Sequence, residues 1–271
     1  MSRFLRIAPT RSWQLPKLLQ ASVAVHAAAV PILVAQPRLW PWVAGAIIAD
    51  HAVLTASGLC PRSSLLGPNW TRLPPAAVNR IAITIDDGPD PQVTPRVLDI
   101  LDQYKVVATF FCIGTRVIAE PLLAREILRR GHAIENHSYR HLHYFSLLGP
   151  RAIATEIARA QDIIESTIGA APLFFRAPAG LRNPFLDRVL IHQRLKLASW
   201  TRRGFDTVTN QPAKVLARLV NGMHSSDILL LHDGHAARTP EGIPVILQVL
   251  PALLHKISAM ELVPILLRTA L

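Results

Sequence analysis

Residues 81–90 read IAITIDDGPD. A short apolar, β-branched run passes directly into two carboxylates, a glycine and a proline, so a strand ends here in a polar turn. Outward from this stretch the same grammar repeats. Strands are expected at 81–85 (IAITI), 106–113 (VVATFFCI), 133–136 (AIEN), 173–176 (LFFR), 196–200 (KLASW), 227–231 (DILLL) and 261–265 (ELVPI). Helical periods lie between them. Val97, Ile100, Leu101 and Tyr104 fall on one helical face, as do Ile153, Ile157, Ala160, Ile164 and Ile168. Pro244 suits a helix start, and Pro251 is expected to kink or divide the last helix. Alternating strands and helices argue for an α/β fold with parallel strands. No glycine fingerprint follows the first strand, so a seven-unit β/α barrel fits better than a dinucleotide-binding sheet.

In such barrels chemistry collects where strands end. Asp86-Asp87 follows the first strand, His137 to His141 the third, Arg176 to Gly180 the fourth, Trp200 to Asp206 the fifth and His232-Asp233 the sixth. Each cluster has an ordinary reading. A DDGP run is usually a solvated turn, and an Arg at a strand end is as often a structural ion pair as a catalytic one. His232, after an apolar strand, can be a satisfied core histidine, and Trp200 a core residue. His137 and His141 are four apart, so on a helical turn both rings project from one face, as two ligands of one metal must. With one carboxylate they make a set that leaves metal positions open. Five polar clusters at five strand ends are what alter the balance.

The chain has 271 residues, 50% hydrophobic and 17% charged, which excludes a disordered or low-complexity nucleic-acid-binding chain. Its net charge of +11 is uneven: residues 1–75 hold seven Lys or Arg against Asp50 alone. No aromatic-rich basic stretch points to nucleic acid, and none is expected as a partner. Cys60 and Cys112 are far apart without a CxxC, so neither a disulfide scaffold nor a cysteine zinc site is suggested.

Residues 18–36 and 39–59 are apolar stretches of about bilayer length, parted by Pro37-Arg38. They are read as a membrane-associated helical hairpin over residues 1–60, followed by a linker at 61–77 and the barrel at 78–271. A cleaved signal peptide competes for the first stretch, but the second apolar run follows at once. The other reading is that one or both stretches lie in the membrane interface or pack on the barrel as a hydrophobic collar. Arg3, Arg6, Arg11 and Lys17 before the hairpin, with Arg62 and Arg72 after it, place both ends and the barrel on the cytoplasmic side of the inner membrane. Asp50 costs about 2.5 to 3.5 kcal/mol in mid-membrane. Folding about Pro37-Arg38 brings His26 within a helical turn of Asp50 and His51, which would shelter that charge.

Taken in order, TIDDGPDP, HSYRH, RAPAG, SWTRRGFDT and LLLHD resemble the five motifs of the polysaccharide deacetylases with NodB homology, carbohydrate esterase family 4, over residues 78–268. The resemblance implies a distorted (β/α)7 barrel. It also implies that Asp87, His137 and His141 bind a divalent metal, zinc or cobalt. Asp86 would be the general base held by Arg176, and His232 the general acid tuned by Asp206. The backbone N–H of Ala179 would face the oxyanion, with Trp200 and Leu230 lining the pocket. The activity implied is hydrolysis of the N-acetyl amide of an amino sugar in a polysaccharide, an oligosaccharide or a lipid-linked sugar, releasing acetate. Two alternatives stand beside it: hydrolysis of a formyl group or a small non-sugar amide, and a membrane-anchored carbohydrate-binding protein without catalysis. Three positions depart from the family pattern. Ile85 replaces the usual Phe, Ala179 stands where an aromatic residue is frequent, and the fourth motif lacks the family's Asp-rich form.

Overall fold

A computed structural model describes residues 12–271. The chain opens with two antiparallel helices, α1 (Lys17–Ala35) and α2 (Trp40–Leu59), joined by a short 3-10 turn at Pro37–Leu39. Both are long and apolar enough to cross a bilayer, and almost none of their surface is covered by the rest of the chain. The flanking Arg3, Arg6 and Arg11 lie outside the described residues. Between the helices, His26 does approach Asp50 and His51: its Nε2 is 3.2 Å from His51 Nε2, and its Nδ1 lies 3.8 Å from Asp50 Oδ2. A partner not foreseen is Ser22, whose hydroxyl donates to Asp50 Oδ2 at 2.7 Å.

The body alternates as expected: β1 (Arg80–Asp86), α3 (Thr94–Gln103), β2 (Thr109–Cys112), α4 (Gly114–Ala119), α5 (Pro121–Arg129), β3 (Ala133–Asn136), α6 (Pro150–Ile168), β4 (Phe174–Phe175), α7 (Leu186–His192), β5 (Lys196–Leu197), β6 (Arg202–Arg203), α8 (Pro212–Val220), β7 (Ile228–His232), α9 (Val245–Ala259) and β8 (Val263–Pro264). All pairings between these strands are parallel, in the order β5-β4-β3-β2-β1-β7-β6, with β8 extending the foot of β1. This is the curled sheet of a distorted β/α barrel. The expected strand at 106–113 begins only at Thr109. The expected strand at 196–200 is interrupted, and β6 is an addition. Only residues 198–201 separate β5, which pairs with β4, from β6, which pairs with β7, so one bent stretch passes between the two edges of the sheet. The last helix runs through Pro251 undivided.

Residues 70–73 lie across the same gap. Trp70 N–H donates to Leu197 O at 2.9 Å and its carbonyl accepts from Ser199 N–H at 2.8 Å, while Leu73 N–H donates to Ser226 O at 2.8 Å.

Strand periodicity decides what faces inward. On β1, Ile81, Ile83 and Ile85 join the layer under α3, α8 and α9. The alternate residues Ala82, Thr84 and Asp86 therefore point into the barrel. On β7, Leu229 and Leu231 face the helices, while Ile228 and Leu230 join Ala82, Phe111, Phe174 and Trp200 in the barrel interior. His232 shares their face. The register pairs Asp86 with His232 and with Phe111.

Candidate active site

Arg176 is fully buried where β4 ends, with its guanidinium over the Phe111 ring at 4.0 Å. It donates to Asp86 Oδ1 at 2.6 Å, Thr84 Oγ1 at 2.8 Å, Ala198 O at 3.3 Å and Ser199 O at 2.7 Å. Burial pulls its pKa down and Asp86 opposes that shift. Removing one member of such a pair typically costs about 3 to 5 kcal/mol, because the other is left charged and dry. The inward phase of β1 thus supplies both a hydroxyl and a carboxylate to one cation. One oxygen of Asp86 is fixed by Arg176; the other, Oδ2, lies 3.8 Å from His137 Nε2.

Asp87 comes one residue beyond the strand, in a left-handed conformation (φ 75°) that turns its carboxylate toward the histidine loop. Its Oδ1 is 3.3 Å from His137 Nε2 and 3.4 Å from His141 Nε2. The three ligand atoms of this group all lie within 4.8 Å of one another. Asp87 Oδ1 is buried and has no hydrogen-bond partner. A buried carboxylate oxygen so placed, facing two imidazole nitrogens, fits a divalent cation, which would satisfy all three. The His137 ring is oriented for that role, since Nδ1 donates to Arg176 O at 2.8 Å and leaves Nε2 toward Asp87.

The electrostatics agree. Burial opposes the charge on Asp87, yet the neighbouring His137 and His235 hold its carboxyl well below the usual range. Burial likewise disfavours a charged His137, but Asp86 and Asp87 prevail and raise its pKa. Burial, with the charge of His137, lowers His141 to about 4, so this ring is neutral at pH 7, the form a metal requires. The helical-turn explanation for the two histidines is corrected by the backbone. Residues 137–144 form an irregular loop, with Ser138 at φ 63° and His141 at φ 52°. The rings converge because two left-handed residues fold the loop back, held by Ser138 N–H on Asn136 Oδ1 at 2.9 Å and by His141 N–H on Ser138 Oγ at 3.1 Å.

His232 ends β7, opposite Asp86. Asp206, fully buried, receives the His232 backbone N–H at 2.7 Å and its ring Nδ1–H at 2.8 Å. This fixes the ring with Nε2 turned away from Asp206. Burial works against protonation of His232, but Asp206 outweighs it and raises the pKa. Of the pocket candidates, Ala179 is exposed at φ 54° in the 3-10 turn Pro178–Gly180. Trp200 and Leu230 are 7% and 1% exposed, packed in the interior cluster below the site.

Two further residues belong to this neighbourhood: His235, which the sequence reading passes over, and Asp233, which it names only beside His232 and gives no role. His235 Nδ1 is 3.3 Å from Asp87 Oδ2. Asp233, fully buried, accepts from Thr94 Oγ1 at 2.5 Å and from Gly234 N–H at 2.8 Å, and burial raises its pKa to about 7. Their signal was the run HDGH at 232–235, in which Gly234 is required because a Cβ there would lie 2.5 Å from Asp87 O.

Fold and constellation together define a class: a parallel β/α barrel with a candidate two-histidine, one-carboxylate metal centre at its strand ends. The family model described as polysaccharide deacetylase matches residues 75–197. A peptidoglycan-N-acetylglucosamine deacetylase of Bacillus cereus is 37% identical over 175 residues, which cover 64% of this chain and 81% of that protein. A chitooligosaccharide deacetylase of Bradyrhizobium sp. is 35% identical over 163 residues, 57% of this chain and 71% of that one. Among solved structures, the peptidoglycan deacetylase PdaC of Bacillus subtilis aligns with a TM-score of 0.61 at 27% identity, over 70% of this chain and 90% of that one. The chain belongs to the polysaccharide deacetylase family, whose enzymes are hydrolases of carbon–nitrogen bonds.

Proposed function

We propose that this chain hydrolyses the N-acetyl amide of an amino sugar, with Asp87, His137 and His141 holding a divalent metal, zinc or cobalt. When bound, such a cation lowers the pKa of a water molecule toward neutrality and polarises a carbonyl. The remaining chemistry is assigned to the chain's own groups. Asp86, held by Arg176 at 2.6 Å, accepts the proton of the attacking water. The Ala179 N–H, on the exposed turn, donates to the developing negative oxygen of the acetyl group. Protonated His232, oriented by Asp206, gives its proton to the sugar nitrogen as the C–N bond breaks. The acyl carbon keeps the water's oxygen and leaves as acetate, and the nitrogen leaves as the amine.

The single observation that carries this reading is the buried Asp87 Oδ1, without a hydrogen-bond partner and facing His137 and His141, with the Asp86–Arg176 and His232–Asp206 pairs beside it. The position of α1 and α2 supports a membrane anchor, and the basic residues flanking them support a cytoplasmic barrel. The test is metal analysis of the purified full chain, followed by acetate release from N-acetylchitooligosaccharides. One metal per chain and metal-dependent acetate release are expected; a chain that binds metal and releases no acetate from any amino sugar would refute the assignment. A reporter at the C-terminus that is active only outside the cytoplasm is expected to be silent.

A further inference from the structure

We propose that the rim of the active-site mouth rests on a bilayer surface and that the substrate is an amino sugar carried on a lipid. The inference rests on the deacetylase reading and adds the substrate class.

The hairpin does not swing from a free tether. Its far end is fastened to the loop that carries Ala179. Arg182 N–H donates to Gly58 O at 3.1 Å, and the fit is backbone against backbone, since a Cβ at Gly58 would collide with Arg182 O. The Arg182 guanidinium donates to Ser63 O and to Gly67 O. Ser199 Oγ donates to Pro61 O at 2.8 Å, and Arg62 Nη1 to Thr201 O at 3.1 Å. The near end meets the same face: Arg188 on α7 lies 5.3 Å over the Trp13 ring, just before α1. The two hairpin ends, which mark where the helices leave the hydrocarbon, therefore both lie on the segment 182–188.

That segment is continuous with an apolar rim. The Asn183 side-chain amide donates to Ser146 O at 3.0 Å and Leu148 O at 2.9 Å, which ties it to the loop that follows the metal-ligand candidates. On these two joined loops Leu147 is 82% exposed, Tyr144 54% and Phe185 50%. Large apolar and aromatic side chains beside two helix ends of membrane length are what headgroup depth accommodates, and the aliphatic Leu147, the most exposed of them, has no ring face on which a sugar could stack. Arg62, also exposed, is placed for an anionic lipid. The chemistry is close by. Tyr144 follows His141 by three residues and Arg182 follows Ala179 by three, and three residues span at most about 11 Å. An acetamido group that reaches Asp86 and His232 from this surface is thus within a short saccharide of its lipid.

The experiment places the full chain in vesicles of phosphatidylethanolamine and phosphatidylglycerol. It compares N-acetylglucosaminyl diphosphate on undecaprenol, in the vesicles, with the same sugar diphosphate on a water-soluble butyl chain. We expect acetate release with kcat/KM at least tenfold higher for the undecaprenyl form. Joint substitution of Leu147 and Phe185 by Glu, and separately by Ser, should remove most of that advantage and leave the rate on the butyl form within twofold. Equal rates on both forms in the unaltered chain, or Ser variants that keep the full advantage, would overturn the lipid assignment and leave the deacetylase reading standing. Acetate from neither form, with N-acetylchitooligosaccharides still hydrolysed, would overturn the lipid assignment alone, and acetate from none of the three would remove both.

Discussion

The molecule contains the same residue trio twice. Asp87, His137 and His141 stand at the barrel's strand ends, and Asp50, His26 and His51 stand in the hairpin; in each, an Asp and two His bring their ligand atoms within 4.8 Å. Even the orienting contacts match, since His26 Nδ1 donates to Ser22 O at 2.8 Å as His137 Nδ1 donates to Arg176 O. The difference is in the carboxylate. Asp50 receives the Ser22 hydroxyl, and the two hairpin imidazoles face each other at 3.2 Å, a distance one ring N–H can bridge. Asp87 Oδ1 has no such partner and sits among loops fixed by left-handed residues. The hairpin trio closes on itself as a clasp between two apolar helices, whereas the barrel trio leaves one carboxylate oxygen open toward two imidazoles, as the proposed metal site requires.

The sharpest way to break this contrast is to remove ligands from each trio. Asp87→Ala or His137→Ala should abolish bound metal and lower deacetylation about a thousandfold or more, since an open three-ligand site has no spare donor. His26→Ala should leave one metal per chain by mass spectrometry, and a fall in that stoichiometry would mean that the hairpin binds metal too. Next in size, Asp86→Asn and His232→Ala should keep the metal and lose about a hundredfold in turnover, the scale for a proton-transfer group. Retention of rate in either would reassign its role.

A smaller effect separates Asp206 from the metal. The His232 pKa is raised because Asp206 overcomes burial, so the stabilising pair is fully present below about pH 6.5 and is lost as pH rises through the folded value. In Asp206→Asn burial prevails instead, and the alkaline limb of the rate profile should move to lower pH with a loss of roughly tenfold at pH 7. An unmoved limb would exclude Asp206 as the tuning group. The smallest catalytic effect belongs to the hairpin: Asp50→Leu should strengthen vesicle insertion by about 3 kcal/mol or less and leave hydrolysis of a soluble substrate within twofold. A larger loss there would mean that the clasp communicates with the mouth.

How much of this the sequence disclosed depends on local pattern. β1 and β7 were plain because apolar runs end abruptly in Asp86-Asp87 and His232-Asp233, and strand phase then fixes Thr84, Asp86 and His232 as inward. β6 was invisible, since Arg202-Arg203 carries no strand signature and pairs only because β7 lies beside it. The four-residue spacing of His137 and His141 pointed to one centre for a wrong reason, as a loop bent by left-handed residues brings them together without a helical turn. The Asp206 contact was predicted only through the family resemblance, because 26 residues separate it from His232. Ser22 was missed because a serine in an apolar helix gives no sign of the carboxylate opposite.

One consequence follows from the strap at residues 70–73. Leu66 and Leu73, at 0% and 3% exposure, belong to the folded interior as fully as any strand residue. A protein trimmed to residue 61 keeps them; one trimmed to residue 78 is a cask with a stave drawn out, wet along the slot between Leu197 and Ser226. Shortening by those seventeen further residues should turn a well-behaved catalyst into an aggregating one, although every side chain assigned to chemistry would still be present.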